Sequence, residues 1–285
     1  MNLTSVKTIK EIKDRFGFTF KKGLGQNFLT DPSVLDSAVL AAEIENGVLE
    51  IGPGFGVLTY ALAQTGKKVI SLEIDERLIP VLDYTLSEFD NVKIINRDVM
   101  KTDIRALIEE EFGEGRISIA ANLPYYITTP IITTLLEKKL PVNNMVFMVQ
   151  REVAERIVAI KGRDAGAISL FCRYFSEPEI IEIVPAGSFY PPPKVDSALL
   201  KLKILDKPSV EVVDEKLLFK IIRASFSQRR KTLANGISSG IGMPKNEVNE
   251  LLVSLGFSET IRGEALTLSD FARISDKISE IKNKE

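Results

Sequence analysis

Five β-rich runs, at 48–51, 68–73, 92–96, 116–121 and 145–150, alternate with stretches of helical periodicity at 57–64, 76–88, 103–111, 129–138 and 152–160. This alternation constrains the fold more than any other feature. Strands separated by a helix pair in parallel, so the sheet must carry helices on both faces. Two further runs, at 179–184 and 195–204, are joined by the loop 185–194 with no helix between them. So short a connection predicts an antiparallel pair, and the sheet is expected to end in a hairpin, unlike an all-parallel dinucleotide-binding sheet. Beyond Lys207-Pro208 no good strand occurs, and helices are expected at 214–224, 230–238, 245–255 and 269–281, the last with cap chemistry from Ser269 and Asp270. The expected organisation is an N-terminal extension over 1–20, an α/β domain over 21–206 and a small all-α domain over 207–285.

Composition removes several chemistries. The chain has 285 residues and no histidine, which takes away the commonest general base and the usual nitrogen ligands for zinc. The single cysteine, Cys172, sits among apolar neighbours and is expected to be a buried structural thiol. No metal site is expected. The sequence has no run of eighteen apolar residues and opens with alternating charges instead of a signal-peptide core, so a cytoplasmic, membrane-free monomer is the expectation. Net charge is −2, so any nucleic acid must be met by local clusters: Lys21 and Lys22; Arg151, Arg156, Lys161 and Arg163; or Arg229, Arg230 and Lys231.

The loop 50–56, Glu-Ile-Gly-Pro-Gly-Phe-Gly, follows the first run and precedes a helical stretch. Gly52 and Gly54 stand where the backbone must turn sharply and let a ligand approach. A dinucleotide fingerprint would place its third glycine at Val57, and Pro53 lacks an N–H that a pyrophosphate would use. The loop therefore suits a ligand without phosphates. Glu73, at the end of the next run, is placed to accept hydrogen bonds from ribose hydroxyls, and Asp98 adds an acid at the same sheet edge. An acidic crevice favours a cation, and S-adenosylmethionine has both a sulfonium and an ammonium.

Asn122-Leu-Pro-Tyr125 follows the fourth run directly, at the strand end where ligands react in open α/β sheets. An aromatic amine is a weak nucleophile with no proton acidic enough to remove first, so it needs acceptors. The Asn122 side-chain oxygen and the Leu123 carbonyl can each take one N6–H of an adenine, with Pro124 fixing the backbone between them. Tyr125 offers a π-face, and Phe189, on the proline-stiffened loop Phe-Tyr-Pro-Pro-Pro-Lys-Val, can close on the other face of a base that has left its stack. As a core anchor, Phe189 would need no ligand.

These motifs, with Gly25-Gln-Asn-Phe-Leu29 and Phe226-Ser-Gln-Arg-Arg-Lys-Thr-Leu233, resemble the bacterial small-subunit (16S) rRNA adenine dimethyltransferases, the KsgA/RsmA family, over residues 20 to about 275. The resemblance implies a class I S-adenosylmethionine-dependent methyltransferase fold, a Rossmann-like seven-stranded sheet with a helical C-terminal domain. It also implies that Asn27, Leu29, Gly52, Gly54, Glu73, Asp98 and Asn122 line the cofactor site, with the first motif as a lid over it. From the residues alone, Gln26 and Asn27 read only as the cap of a helix at 32–42. The implied reaction adds two methyl groups to N6 of each of two adjacent adenosines in a hairpin loop near the 3′ end of small-subunit rRNA. Arg229, Arg230 and Lys231, at the start of a C-terminal helix, are the implied phosphate contacts. Ala234 stands where such proteins commonly carry a further basic residue. The alternatives are a large-subunit rRNA methyltransferase of the resistance type, a DNA methyltransferase, or a non-catalytic assembly or transcription factor.

Overall fold

The computed structural model describes residues 1–19, 27–228 and 230–282. Lys21, Lys22, Gln26 and Arg229 lie outside the described residues. The strands are β1 (Phe28–Leu29), β2 (Gly47–Ile51), β3 (Lys68–Glu73), β4 (Val92–Asn96), β5 (Ile117–Asn122), β6 (Val142–Gln150), β7 (Ser176–Val184), β8 (Phe189–Tyr190) and β9 (Ser197–Ile204). Seven of them form one sheet in the order β4-β3-β2-β5-β6-β9-β7. From β2 to β6 neighbouring strands pair in parallel, and β9 lies antiparallel to β6. The chain moves outward from β2 to β4 and then returns to β5, so the strand order reverses between β2 and β5. Their carboxyl ends flank the crevice where such sheets bind ligands.

Burial accounts for the central strands. All five residues of β2 are buried, as expected of a parallel strand covered on both faces. The helix Pro32–Ala42 lays Val34, Leu35 and Ala38 on a core shared with Val146 and Leu199. Its N-cap is Asp31, which accepts from the Ser33 N–H at 3.1 Å, so the capping expected of Gln26 and Asn27 falls to a residue closer to the helix.

The N-terminal extension is itself structured. Helix Val6–Arg15 is capped by Ser5 and sends Ile9 and Ile12 into the same core as Phe28 and Phe55.

Two compact units emerge, Met1–Ala154 with Pro178–Ile204, and Glu155–Glu177 with Leu205–Glu285. This differs from a single boundary near residue 206, and the reason is aromatic. Helix Ala167–Phe175 brings Phe171, Tyr174 and Phe175 around Phe219 of helix Glu215–Ser227, with ring centroids 5.0, 5.0 and 5.8 Å apart. Cys172 is fully buried there, and burial pushes its thiol up, away from reactivity. In the same unit Arg230 and Lys231 are exposed, in the turn before helix Leu233–Ile241 and not in its first turn.

Candidate active site

The loop after β2 is anchored by the Gly52 N–H, which donates to the Leu72 carbonyl at 2.9 Å. Gly52, Gly54 and Gly56 have φ of 71°, 61° and 85°, values that disfavour any side chain. A Cβ at Gly52 would meet no protein atom within 4 Å, so the space before it belongs to the crevice. At Gly54 a Cβ would come within 3.0 Å of the Phe28 ring. The crevice, open to solvent, is walled by Asn27, Phe28, Leu29, Glu50, Gly52, Gly54, Glu73, Asn122, Pro124 and Tyr126, among others.

Two carboxyl groups face this space. Glu73 is buried, and its oxygens accept from the Gly54 N–H at 3.3 Å and the Asp75 N–H at 2.8 Å. Burial raises its pKa against those two bonds. Glu50, only 1% exposed, accepts from Thr59 Oγ1 at 2.6 Å and Ser71 Oγ at 2.7 Å. Burial, reinforced by the charge of Glu73, pushes its pKa up to about 7. Glu50 belongs to the glycine motif but is absent from the site residues expected from sequence. Asp98, expected as the second acid of the crevice, instead lines a separate depression with Arg97, Lys101 and Thr102, and accepts from the Met100 N–H at 2.9 Å. It sits past the end of β4, two strands away from β2, which explains its absence from the wall.

On the opposite side the Asn122 side chain donates Nδ2–H to the Asn27 carbonyl at 2.9 Å. With the nitrogen committed, Oδ1 is the acceptor end of the amide. The Leu123 N–H is held by the Met148 carbonyl at 3.2 Å and its side chain is buried. The Pro124 carbonyl accepts from the Ile127 N–H and the Thr128 hydroxyl, both at 3.1 Å, turning the chain into helix Thr128–Glu137.

The aromatic residues divide differently from expectation. Tyr125 is half-buried with its phenol on Ser197 Oγ at 2.8 Å, and it does not line the crevice. Its neighbour Tyr126, 62% exposed, does. Phe189 is 3% exposed, within the core cluster, and paired in register with Leu29 through the antiparallel β1–β8 ladder. In this arrangement its ring is covered, the core-anchor placement, and it does not face a base.

The residues present suit S-adenosylmethionine. A side-chain-free cradle at Gly52 admits a ligand against backbone, and the buried carboxyl groups of Glu50 and Glu73 give the crevice a negative potential when ionised, a state that a cation favours. Among the described residues no group of three His, Cys, Asp or Glu could hold a metal ion, and no helix is long and apolar enough to cross a membrane.

A family model described as ribosomal RNA adenine dimethylase matches residues 17–277. The chain is 47% identical over 276 residues to the Ribosomal RNA small subunit methyltransferase A of Bacillus cytotoxicus, covering 94% of each chain. The protein of the same name from Bacillus mycoides matches with the same identity and coverage. Among solved structures, a dimethyladenosine transferase from Plasmodium falciparum superposes with a TM-score of 0.72 at 27% identity, over 90% of this chain and 98% of that one. The 23S rRNA methyltransferase ErmE shares the fold, with a TM-score of 0.68 at 23% identity over 89% of this chain and 100% of that one.

Proposed function

The chain belongs to the ribosomal RNA adenine dimethylase family, and from that membership we propose that it dimethylates N6 of two adjacent adenosines in the 3′-terminal hairpin loop of small-subunit rRNA during cytoplasmic assembly of the subunit. It is an S-adenosylmethionine-dependent rRNA adenine dimethyltransferase. The bound cofactor supplies an electrophilic methyl group. Asn27, Leu29, Gly52, Gly54 and Glu73 are the residues that would hold it, with Asp98, beyond the end of β4 and outside the crevice wall, as the proposed outer limit of the site. A cation in this crevice also favours the ionised forms of Glu50 and Glu73.

One observation carries the catalytic reading: one N–H of the Asn122 amide is held by the Asn27 carbonyl, which orients the side chain, and Oδ1 is its acceptor for an N6–H. The Leu123 carbonyl is the second acceptor, held in place by the Leu123 N–H bond to Met148 and by Pro124. Two acceptors draw the amine toward tetrahedral geometry and aim its lone pair across the crevice. With no histidine in the chain, the proton released after transfer passes to water at the open mouth. Tyr126 is the exposed aromatic at that mouth, and Tyr125, fixed through Ser197, stiffens the turn beneath it. Phe189 meets the base only if the β1–β8 ladder opens. Arg229, Arg230 and Lys231 are the proposed phosphate contacts.

The test is to incubate the protein with labelled S-adenosylmethionine and, separately, unmethylated small subunits, large-subunit RNA and duplex DNA, then digest the products. Dimethyladenosine from the small subunit is expected. Label confined to large-subunit RNA or DNA overturns the substrate assignment.

A further inference from the structure

We infer that the N-terminal segment ending at Phe18 is a working part of the cofactor site, with Phe18 a positioning residue that sets the glycine loop and the Glu73 carboxylate together. The inference rests on the reading that the crevice takes S-adenosylmethionine. Phe18 itself does not line that crevice.

The contacts around Phe18 form a closed ring. Its buried side chain meets Phe55 edge-on, with centroids 5.2 Å apart and planes at 74°. Phe55, the fully buried residue between Gly54 and Gly56, stacks in turn on Phe28 at 4.3 Å. The Arg77 guanidinium lies over the Phe18 ring, 4.9 Å from its centroid. The same guanidinium forks onto the Asp75 carboxylate, with Nε donating to Oδ1 at 2.8 Å and Nη2 donating to Oδ2. The Asp75 N–H reaches Glu73 Oε1 at 2.8 Å, and the Gly54 N–H reaches Oε2 at 3.3 Å. Each oxygen of Glu73 is thus fixed by a separate arm, and both arms rest on Phe18.

A purely apolar role would need only the volume of this side chain. The geometry sets this ring in a tilted, edge-to-face pair with an aromatic ring and puts a cation over its face, and those properties belong to a π-system. Phe18 is also delivered precisely to this spot by its own segment. Its N–H donates to the Lys13 carbonyl at 2.8 Å, and Ile9 and Ile12 of the preceding helix are buried in the same core. Loss of the ring should therefore loosen the loop and the carboxylate at once.

The experiment is calorimetric titration of S-adenosylhomocysteine into the full-length protein and its Phe18→Leu, Arg77→Met and doubly substituted variants, alongside thermal unfolding and steady-state kinetics. Phe18→Leu is expected to weaken binding about fivefold to tenfold. The KM for S-adenosylmethionine should rise likewise, with kcat at saturation staying within about twofold because bound cofactor restores the loop and Asn122 and Leu123 are unaltered. Arg77→Met, at a partly exposed position that will not unfold the core, should weaken binding similarly, and the double variant little further. Independent, multiplicative losses in the cycle would overturn the proposal, as would Phe18→Leu and Arg77→Met both binding within about twofold of the unsubstituted protein. Failure of the unsubstituted protein to bind S-adenosylhomocysteine would instead overturn the cofactor reading, and this inference with it.

Discussion

The Asn122 side-chain nitrogen donates to the Asn27 main-chain carbonyl at 2.9 Å, joining the end of β5 to the residue before β1 across 95 positions of sequence. The bond orients the amide by one of its two N–H groups. It also couples the proposed acceptor to a segment that walls the cofactor side, so orientation at one end depends on closure at the other.

Asn122→Ala removes both acceptor and tether. Methyl transfer at saturating cofactor and RNA should fall by about two orders of magnitude, the loss typical of one preorganised polar group in an active site. Binding of S-adenosylhomocysteine should weaken only severalfold. Because the tether uses the Asn27 backbone, Asn27→Ala keeps it, and single-turnover transfer should then stay near wild type while cofactor affinity drops. Near-wild-type turnover in Asn122→Ala would remove Asn122 from the mechanism.

Gly52 and Gly66 provide a matched pair. Both have positive φ, 71° and 72°, and at neither would a Cβ meet an atom within 4 Å. Alanine at either should cost about 1 kcal/mol of stability through the left-handed backbone. Only Gly52 lines the crevice, so only Gly52→Ala should also weaken S-adenosylhomocysteine binding, by about tenfold or more through overpacking. Equal affinities in the two variants would mean that the cradle does not hold the ligand.

Glu50 makes stability depend on pH. Its carboxyl ionises near 4.5 when unperturbed and at about 7 in the fold, because burial penalises the charge. The folded state binds the proton more tightly, so this contribution is complete below pH 4.5 and is lost as pH rises through 7. The shift amounts to on the order of 3 kcal/mol. Glu50→Gln keeps an oxygen for Thr59 and Ser71 and carries no charge. In denaturant unfolding it should equal wild type near pH 4.5 and exceed it at pH 8. A constant difference across that range would show that Glu50 does not titrate there.

Tyr126 should report on RNA. A base stacked on an exposed aromatic gains about 1–3 kcal/mol, so Tyr126→Ala should raise the KM for the RNA about tenfold with cofactor affinity unchanged. Tyr126→Phe should be near wild type, since stacking uses the ring and not the hydroxyl. Equal effects of the two substitutions would point to the hydroxyl instead of the ring.

The sheet was legible from short apolar runs bounded by turn and helix signals: the runs at 68–73 and 92–96 are those of β3, buried after its first residue, and of β4, a partly exposed edge strand. The helix expected at 76–88 is broken into a 3-10 turn, Glu76–Leu78, and an α-helix, Ile79–Thr85, because Pro80 has no N–H to continue the first turn. Helix Ala167–Phe175 escaped notice because a nine-residue run rich in aromatic and branched residues, six of them buried, is too short to tell from a buried strand by periodicity. The two-residue strands β1 and β8 are too short for any periodicity, and they meet across 160 positions. In the candidate site, Gly52, Gly54 and Glu73 were readable because each sits at a strand end or a turn marked in the local sequence, whereas Asp98 lines a separate depression. Which of Tyr125 and Tyr126 faces the crevice was not, since it depends on the turn closed by the Ile127 N–H on the Pro124 carbonyl. Glu50 was passed over for a related reason, as its partners Thr59 and Ser71 lie nine and 21 positions away.

The chain passes between its two compact units three times, after residues 154, 177 and 204. The C-terminal unit is therefore no detachable tail. A fragment ending at 206 would keep Phe171, Tyr174 and Phe175 but lose Phe219, exposing an aromatic face that the complete chain buries. Exposed faces of that kind promote aggregation. A single crossover at that point, swapping C-terminal units between relatives, produces chimeras with mismatched halves of one core. Exchange that preserves folding has to move 155–177 and 205–285 as a set, so these two stretches are expected to diverge together.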